Sequence, residues 1–254
     1  MHEQTDIICL VHNQLPITKG FIDRLFKHTD DFRLIFVDNG STDGTAEFLS
    51  EGQSKGQWTM LSPGRNLGVI EGRNLGAKEV KSKHFLNIDN DQYVKAGWLD
   101  KLFDVMTKGE YDVVGSEAWC LHPPGAGGAV IMGSTTHGRA YYPFRHCTHI
   151  KERFTYIGCG GMLIKKEVYD KIGLFDERFS PAYFEDPDLS FRLIKAGYKL
   201  GWCHDCPIEH LAHQTFDNQT LFKKNAQFLK SWRAFIEKWH PYFPKPLQMT
   251  GDKT

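Results

Sequence analysis

The sequence has no uninterrupted apolar run approaching the ~20 residues that cross a bilayer. Met1 to Asp6 (MHEQTD) does not look like a signal peptide either, being acidic and polar where such a segment is basic and then apolar. Net charge is missing as well: 31 Lys and Arg balance 31 Asp and Glu, which gives no electrostatic case for nucleic acid as a partner. These absences predict a cytoplasmic setting, with membrane-peripheral attachment left to one late helix. Cysteine is sparse and scattered, six in all, and only Cys203-His204-Asp205-Cys206 has ligand-like spacing. With no second such pair, reduced thiols are expected rather than a structural zinc. No GxGxxG opens the first helix and no GxxxxGK[ST] occurs, so dinucleotide and P-loop readings lose their main support.

What is present fits an ordinary soluble protein of 254 residues, 41% hydrophobic and 24% charged, large enough for a core without covalent staples. Thr5 to Val11 (TDIICLV), Arg33 to Val37, Gln57 to Leu61 and His84 to Ile88 read as strands. Helical spacing is seen from Ile17 to His28, from about Thr45, from Val69 to Val80, and from Asp188 to Ala196, which Gly197 stops. Strands alternating with helices predict a parallel sheet covered on both faces, with the site outside the carboxyl ends of the strands. From His122 to Arg153, Gly, Pro, His and Tyr dominate, and a long functional loop with a short hairpin is expected. Thr220 to Trp239 spaces its apolar residues as a helix, packed on the domain or turned to a membrane or a second copy.

Several segments carry chemistry-bearing residues, each with a plainer reading beside the functional one. Asp38, at the end of the second strand, can accept from a base or ribose, or belong to a capped turn (Asp38 to Gly44). The repeated RNLG at Arg65–Gly68 and Arg73–Gly76 supplies arginines that suit phosphates, or that are simply solvated. In Asp89-Asn90-Asp91, side chains two apart on an extended chain point the same way. Two carboxylates so placed call for a hard divalent cation that a diphosphate would complete, unless the triplet is an acidic turn. Asp186 before Pro187 reads as a helix N-cap followed by a first helical residue, which leaves Glu185 as a second carboxylate with no capping duty. Acidic pairs of this kind suit a general base. His210 and His213 are further candidates for a metal shell.

Taken in order, DNGSTDGT, RNLGVIEGRNLGA, FLNIDND, GCGGMLIKKEVYDKIGLFDERF, YFEDPDLSFRLIKAGYK and IEH closely resemble family 2 glycosyltransferases over roughly residues 5 to 215. The resemblance implies an α/β GT-A fold, a mostly parallel central sheet flanked by helices with a smaller acceptor-binding part. Residues 1–118 would form the nucleotide-binding half and 119–215 the acceptor and catalytic half, with 216–254 a helical extension. It further implies an inverting, Mn²⁺- or Mg²⁺-dependent transfer of sugar from a UDP-, GDP- or dTDP-sugar to a saccharide, lipid-linked or protein acceptor. By motif, Asn13, Asp38, Asn66, Arg73 and Asp89 would contact the donor, Asp91 and His210 would hold the metal, Asp186 would be the base and Glu185 would seat the acceptor. A retaining transferase on the same fold, a nucleotidyltransferase, or a non-catalytic binding module are the alternatives. Oligomeric state, and whether the chain is one module of a longer protein, stay open at this stage.

Overall fold

The computed structural model describes residues 4–122, 131–134, 154–211 and 221–239. Its organising element is Thr5–Val11 (β1), whose Ile7, Ile8, Cys9 and Val11 are all essentially inaccessible. β1 is flanked in parallel by Phe32–Asp38 (β2) on one side and His84–Asp89 (β4) on the other. Thr59–Leu61 (β3) extends the sheet beyond β2. Beyond β4 come Met162–Lys165 (β10), Val113–Gly115 (β6) and Leu200–Trp202 (β11), giving the order β11-β6-β10-β4-β1-β2-β3. β10 runs antiparallel to both its neighbours, so the predicted parallel sheet holds on one half and is interrupted on the other. The inner strands are continuous apolar runs because both faces are covered, which alternation alone would not allow.

The two faces carry separate cores. Ile7 points into one with Phe21 and Leu25 of Leu15–His28 (α1) and Trp98, Leu102 and Met106 of Trp98–Lys108 (α4). Its neighbour Ile8 points into the other, with Ile70 of Gly68–Ala77 (α3), Val168 of Lys166–Ile172 (α5), and Leu189 and Leu193 of Glu185–Lys195 (α6). Phe235 and Trp239 of Leu221–Trp239 (α7) close that second core, so the late helix is packed on the domain along its apolar side. Thr45–Ser54 (α2) covers the β2–β3 edge.

Register aligns the ends of three strands. Val11 pairs with Asp38, and Leu10 with Asp89, so the carboxyl ends of β1, β2 and β4 share one edge of the sheet. Two small sheets flank that edge. Gln92–Val94 (β5) pairs antiparallel with Ile208–His210 (β12), and Ala118–His122 (β7) pairs with Ile131–Ser134 (β8) and Phe154–Ile157 (β9). The stretch His122 to Arg153 therefore contributes a strand to a hairpin; its remaining residues lie outside the described ones, as does His213.

Candidate active site

The turn after β2 is built by cross-bracing rather than by a simple helix cap. Asp38 is buried and accepts from the backbone N–H of Ser41 at 3.1 Å. Asn13, at φ 59°, exchanges bonds with the same turn: its N–H donates to Ser41 Oγ (2.8 Å), and its Oδ1 accepts from Thr42 N–H (2.7 Å). Asn66 is exposed, with Oδ1 accepting from Asn39 Nδ2 at 3.0 Å and from Gly68 N–H at 2.8 Å. Asn39 is the hub of this corner, donating also to Gly68 O and accepting from Leu67 N–H at 2.7 Å. It drew no role in the sequence, although its place inside DNG marked it. Gly68 sits at φ +78° against Pro181, where any Cβ would strike the proline, and Val69 N–H donates to Pro181 O at 2.9 Å. The Arg65–Gly68 loop is thus tied to the segment that precedes α6.

The acidic triplet divides its duties at the strand end. β4 stops at Asp89, and Asn90 and Asp91 form the turn into β5, so strand alternation covers Asp89 alone and the turn sets where Asp91 goes. Asp89 is bonded through Oδ1 to Arg73 Nη2, whose Nη1 meets Cys159 Sγ. Arg73, read from the sequence as a phosphate contact, is 4% exposed and has its guanidinium engaged by protein partners. Burial works against its charge, yet Asp89, Cys159, Asp186 and Glu185 together raise its pKa above the ordinary value. Asn90 bonds elsewhere, its Nδ2 donating to Thr18 Oγ1 of α1 at 3.1 Å.

Asp91 faces His210. Asp91 Oδ1 lies 3.4 Å from His210 Nε2, and Glu117 Oε1 lies 3.5 Å from Nδ1 of the same ring. The β5–β12 pairing delivers this: His210 is opposite Gln92, and Leu211 N–H donates to Asp91 O at 2.8 Å. Burial disfavours the imidazolium, but the two carboxylates outweigh it and raise the pKa to about 10. Two ligands on one small octahedral cation lie roughly 3 Å apart. An Asp oxygen and a His nitrogen at 3.4 Å therefore fit a shared divalent ion with little rearrangement, with the ring still 34% open to solvent.

Glu185 and Asp186 open α6, but not as an N-cap and first residue. The helix starts two residues earlier, with Phe184 at φ 68° as its cap position and its carbonyl accepting from Asp188 N–H at 3.1 Å. Both carboxylates therefore lie in the first turn, where the helix dipole favours negative charge. Glu185 is 8% exposed, and Glu185 Oε2 and Asp186 Oδ1 are buried without a hydrogen-bond partner. Burial, reinforced by the neighbouring Asp186, pushes the Glu185 carboxyl up to about 8. Burial also raises Asp186, against the opposing pull of Arg73 and of hydrogen bonds from Cys159. Cys159 belongs to the site, a placement its GCGG context hinted at without assigning; its own thiol is pushed up by burial. One ligand atom each from Cys159, Glu185 and Asp186 falls within 4.8 Å of the others. Asp188, the third acid of this helix start, is a structural clamp, as its total burial and its bonds to Arg192 and Trp239 (each 2.8 Å) require. The Cys203 and Cys206 thiols lie apart from the site as free cysteines.

Three comparisons bear on this arrangement. The chain is 24% identical over 262 residues to the putative polypeptide N-acetylgalactosaminyltransferase 9 of Drosophila melanogaster, covering 92% of this chain and 37% of that protein. It is 23% identical over 267 residues to the O-antigen biosynthesis protein RfbC of Myxococcus xanthus, covering 98% of this chain and 20% of the relative. The chain thus spans well under half the length of either relative. The crystal structure of GalNAc-T7 with UDP, GalNAc and Mn²⁺ superposes with a TM-score of 0.70 at 14% identity, over 93% of this chain and 48% of that one. That likeness shows the GT-A fold. The family model described as glycosyl transferase family 2 matches residues 6–173, from β1 through the Cys159 loop and α5, and the chain belongs to that family of glycosyltransferases.

Proposed function

We propose that this glycosyltransferase moves a sugar from a nucleoside-diphosphate donor to an acceptor hydroxyl with inversion, and that Asp186 is its general base. The observation that carries the reading is the Glu185–Asp186 pair: a buried and a half-buried carboxyl, each with a buried, unpartnered oxygen, both raised, held beside the Arg73–Asp89 ion pair. A carboxylate with an elevated pKa is a better proton acceptor than an ordinary aspartate, and one already stripped of water has little to shed when a hydroxyl arrives. Arg73 pulls both carboxyls back towards ionisation, but only Asp186 also accepts from Cys159, and on that ground we assign the free charge to Asp186 and the proton to Glu185. Asp186 then takes the acceptor's proton as that oxygen attacks the anomeric carbon. Glu185, as an acid at neutral pH, is a hydrogen-bond donor able to seat the acceptor.

On the donor side, Asp38 and the Asn13 turn would meet the nucleoside, with Asn66 shaping the loop from behind. Arg73 acts through Asp89, fixing that carboxylate for the ribose or sugar rather than reaching the phosphates itself. Asp91 and His210 would hold Mn²⁺ or Mg²⁺, which when bound offsets the charge gathering on the departing diphosphate. Complexes of the neighbours support donors of this class: GalNAc-T7 with UDP and Mn²⁺, and the Pyrobaculum calidifontis mannosyltransferase PcManGT with GDP-Man and Mn²⁺.

Thermal shift against UDP-, GDP- and dTDP-sugars with Mn²⁺ identifies the donor, because a ligand that binds the native state alone stabilises it. NMR of the product then reads the anomeric centre. Configuration opposite to the donor's is expected; retention overturns the general-base reading.

A further inference from the structure

We infer that Glu117 is a positioning residue for His210, holding the imidazole by Nδ1 so that Nε2 is turned towards Asp91. The inference rests on the reading of Asp91 and His210 as the metal-holding pair. Glu117 follows β6 in a short connection whose backbone is fixed from both sides. Its own carbonyl accepts from Gly158 N–H at 3.1 Å. Next to it, Ser116 N–H donates to Gly161 O (3.0 Å) and Ser116 Oγ donates to Gly160 O (3.1 Å). Gly161 makes this possible, since at φ +74° a Cβ there would lie 2.2 Å from Ser116 Oγ. The glycine loop of Cys159 thus also anchors the Glu117 backbone.

From that anchor the carboxylate reaches His210 Nδ1 at 3.5 Å, while Asp91 stands 3.4 Å from Nε2. The in-plane directions of the two ring nitrogens diverge widely, so an ion on the Nε2 side cannot also be ligated by the acid on the Nδ1 side. Glu117 is therefore placed behind the ligand. A histidine ligand whose far nitrogen donates to a carboxylate is fixed in tautomer and in orientation, and gains basicity. Asp91, next to Asp89 at the carboxyl edge of β4, marks the ion's side of the ring; Glu117 marks the other.

The test is Mn²⁺ binding by the full chain, alone and with UDP, followed by EPR, with ¹⁴N modulation of the bound ion reporting the imidazole. Glu117→Ala is expected to weaken Mn²⁺ affinity about 10–100-fold and to diminish the ¹⁴N signal. Glu117→Gln keeps an acceptor oxygen for Nδ1–H and is expected to recover most of both. Wild-type affinity and an unchanged ¹⁴N signal in Glu117→Ala would overturn the inference, as would equal losses in Ala and Gln variants that fold. His210→Ala separates the two levels. If it too leaves Mn²⁺ binding and the ¹⁴N signal untouched, the metal reading itself has failed and Glu117 falls with it. Loss in His210→Ala with none in Glu117→Ala overturns the positioning role alone.

Discussion

Two acidic pairs stand on the same rim of the sheet and are treated in opposite ways. Asp89 and Asp91 are each given a basic partner, Arg73 and His210 respectively. Glu185 is buried and Asp186 half-buried beside it, each with a buried oxygen that meets no donor, and both are harder to ionise than ordinary carboxyls. A paired carboxylate stays charged and serves as a fixed anchor; an unpaired, desolvated one is poised to take up a proton. The same residue types at the ends of neighbouring elements are thereby separated into binding and proton transfer by their partners alone. Arg73 is the hinge of the contrast, since it bonds Asp89 directly and also acts electrostatically on Asp186 and Glu185.

The largest expected effect breaks the contrast at its catalytic side. Asp186→Asn should lower kcat by ~10²–10⁴-fold while leaving Mn²⁺-dependent nucleotide affinity in place. Asp91→Asn should do the reverse first, weakening nucleotide binding with Mn²⁺ by about tenfold or more. Steady-state kinetics beside calorimetric nucleotide titration reads both, and equal losses in the two variants would erase the division of labour. A second effect concerns the hinge. Arg73 holds the Asp186 pKa down, so removing its charge lets that pKa rise and moves the acid limb of kcat/KM to higher pH. For Arg73→Gln the limb should move to higher pH, whereas Arg73→Lys should leave it near its native place. An acid limb that ignores the substitution would mean that the titrating group is not Asp186.

Much of this was legible in the sequence, and what was not has physical reasons. The buried strands β1, β2 and β4 are unbroken apolar runs ending at turn residues, and the edge they share carries Asp38 and Asp89 where the motifs suggest. α4 went unread although Trp98, Leu99, Leu102 and Met106 have helical spacing, so there the signal was present. The direction of β10 had no local signal, because it depends on a pairing with β4 from the far side of the chain. Asp89 and Asp91 take different partners, Arg73 and His210, and no strand alternation predicts that, because extended geometry ends at Asp89. The start of α6 was misplaced because an Asp-Pro signal was outweighed by tertiary packing. Phe184 adopts φ 68° with its ring against Phe228, Trp232 and Phe235 of α7, and this sets the helix start ahead of Glu185. Glu117 had no sequence signal at all; only the β5–β12 ladder brings His210 to it.

The contrast also has a thermodynamic side. A carboxyl whose pKa is raised on folding binds more protons in the native state than in the unfolded one between the two values, so stability falls as pH climbs through that window. For Glu185 the window runs from the ordinary 4.5 to about 8. Glu185→Gln removes the titration and should melt a few degrees higher than the native protein near pH 8, the difference shrinking towards pH 4.5. Melting curves of this variant and the native protein across pH 4–9 read the difference; parallel curves would show that burial of Glu185 carries no cost.

The smallest effect tests what holds the unpaired acids in place. Asp188 is fully buried one turn into α6 and, unlike Glu185, is richly partnered: Arg192 Nε and Trp239 Nε1 donate to it at 2.8 Å, and Lys238 Nζ at 2.6 Å. Two of those three donors come from the last turn of α7, whose Ser231 Oγ also donates to Ala182 O at 2.9 Å. The late helix thus grips the segment leading into Glu185 from both ends. Trp239→Phe keeps the ring in its packed place and removes one donor of three, which should cost about 1 kcal/mol and lower Tm by about 2–4 °C. Because the change lies behind the helix, the pH profile of transfer should not move. A shifted acid limb in Trp239→Phe would mean that α7 sets the environment of Asp186 as well as its position, and the two kinds of acid on this rim would then be less independent than their partners suggest.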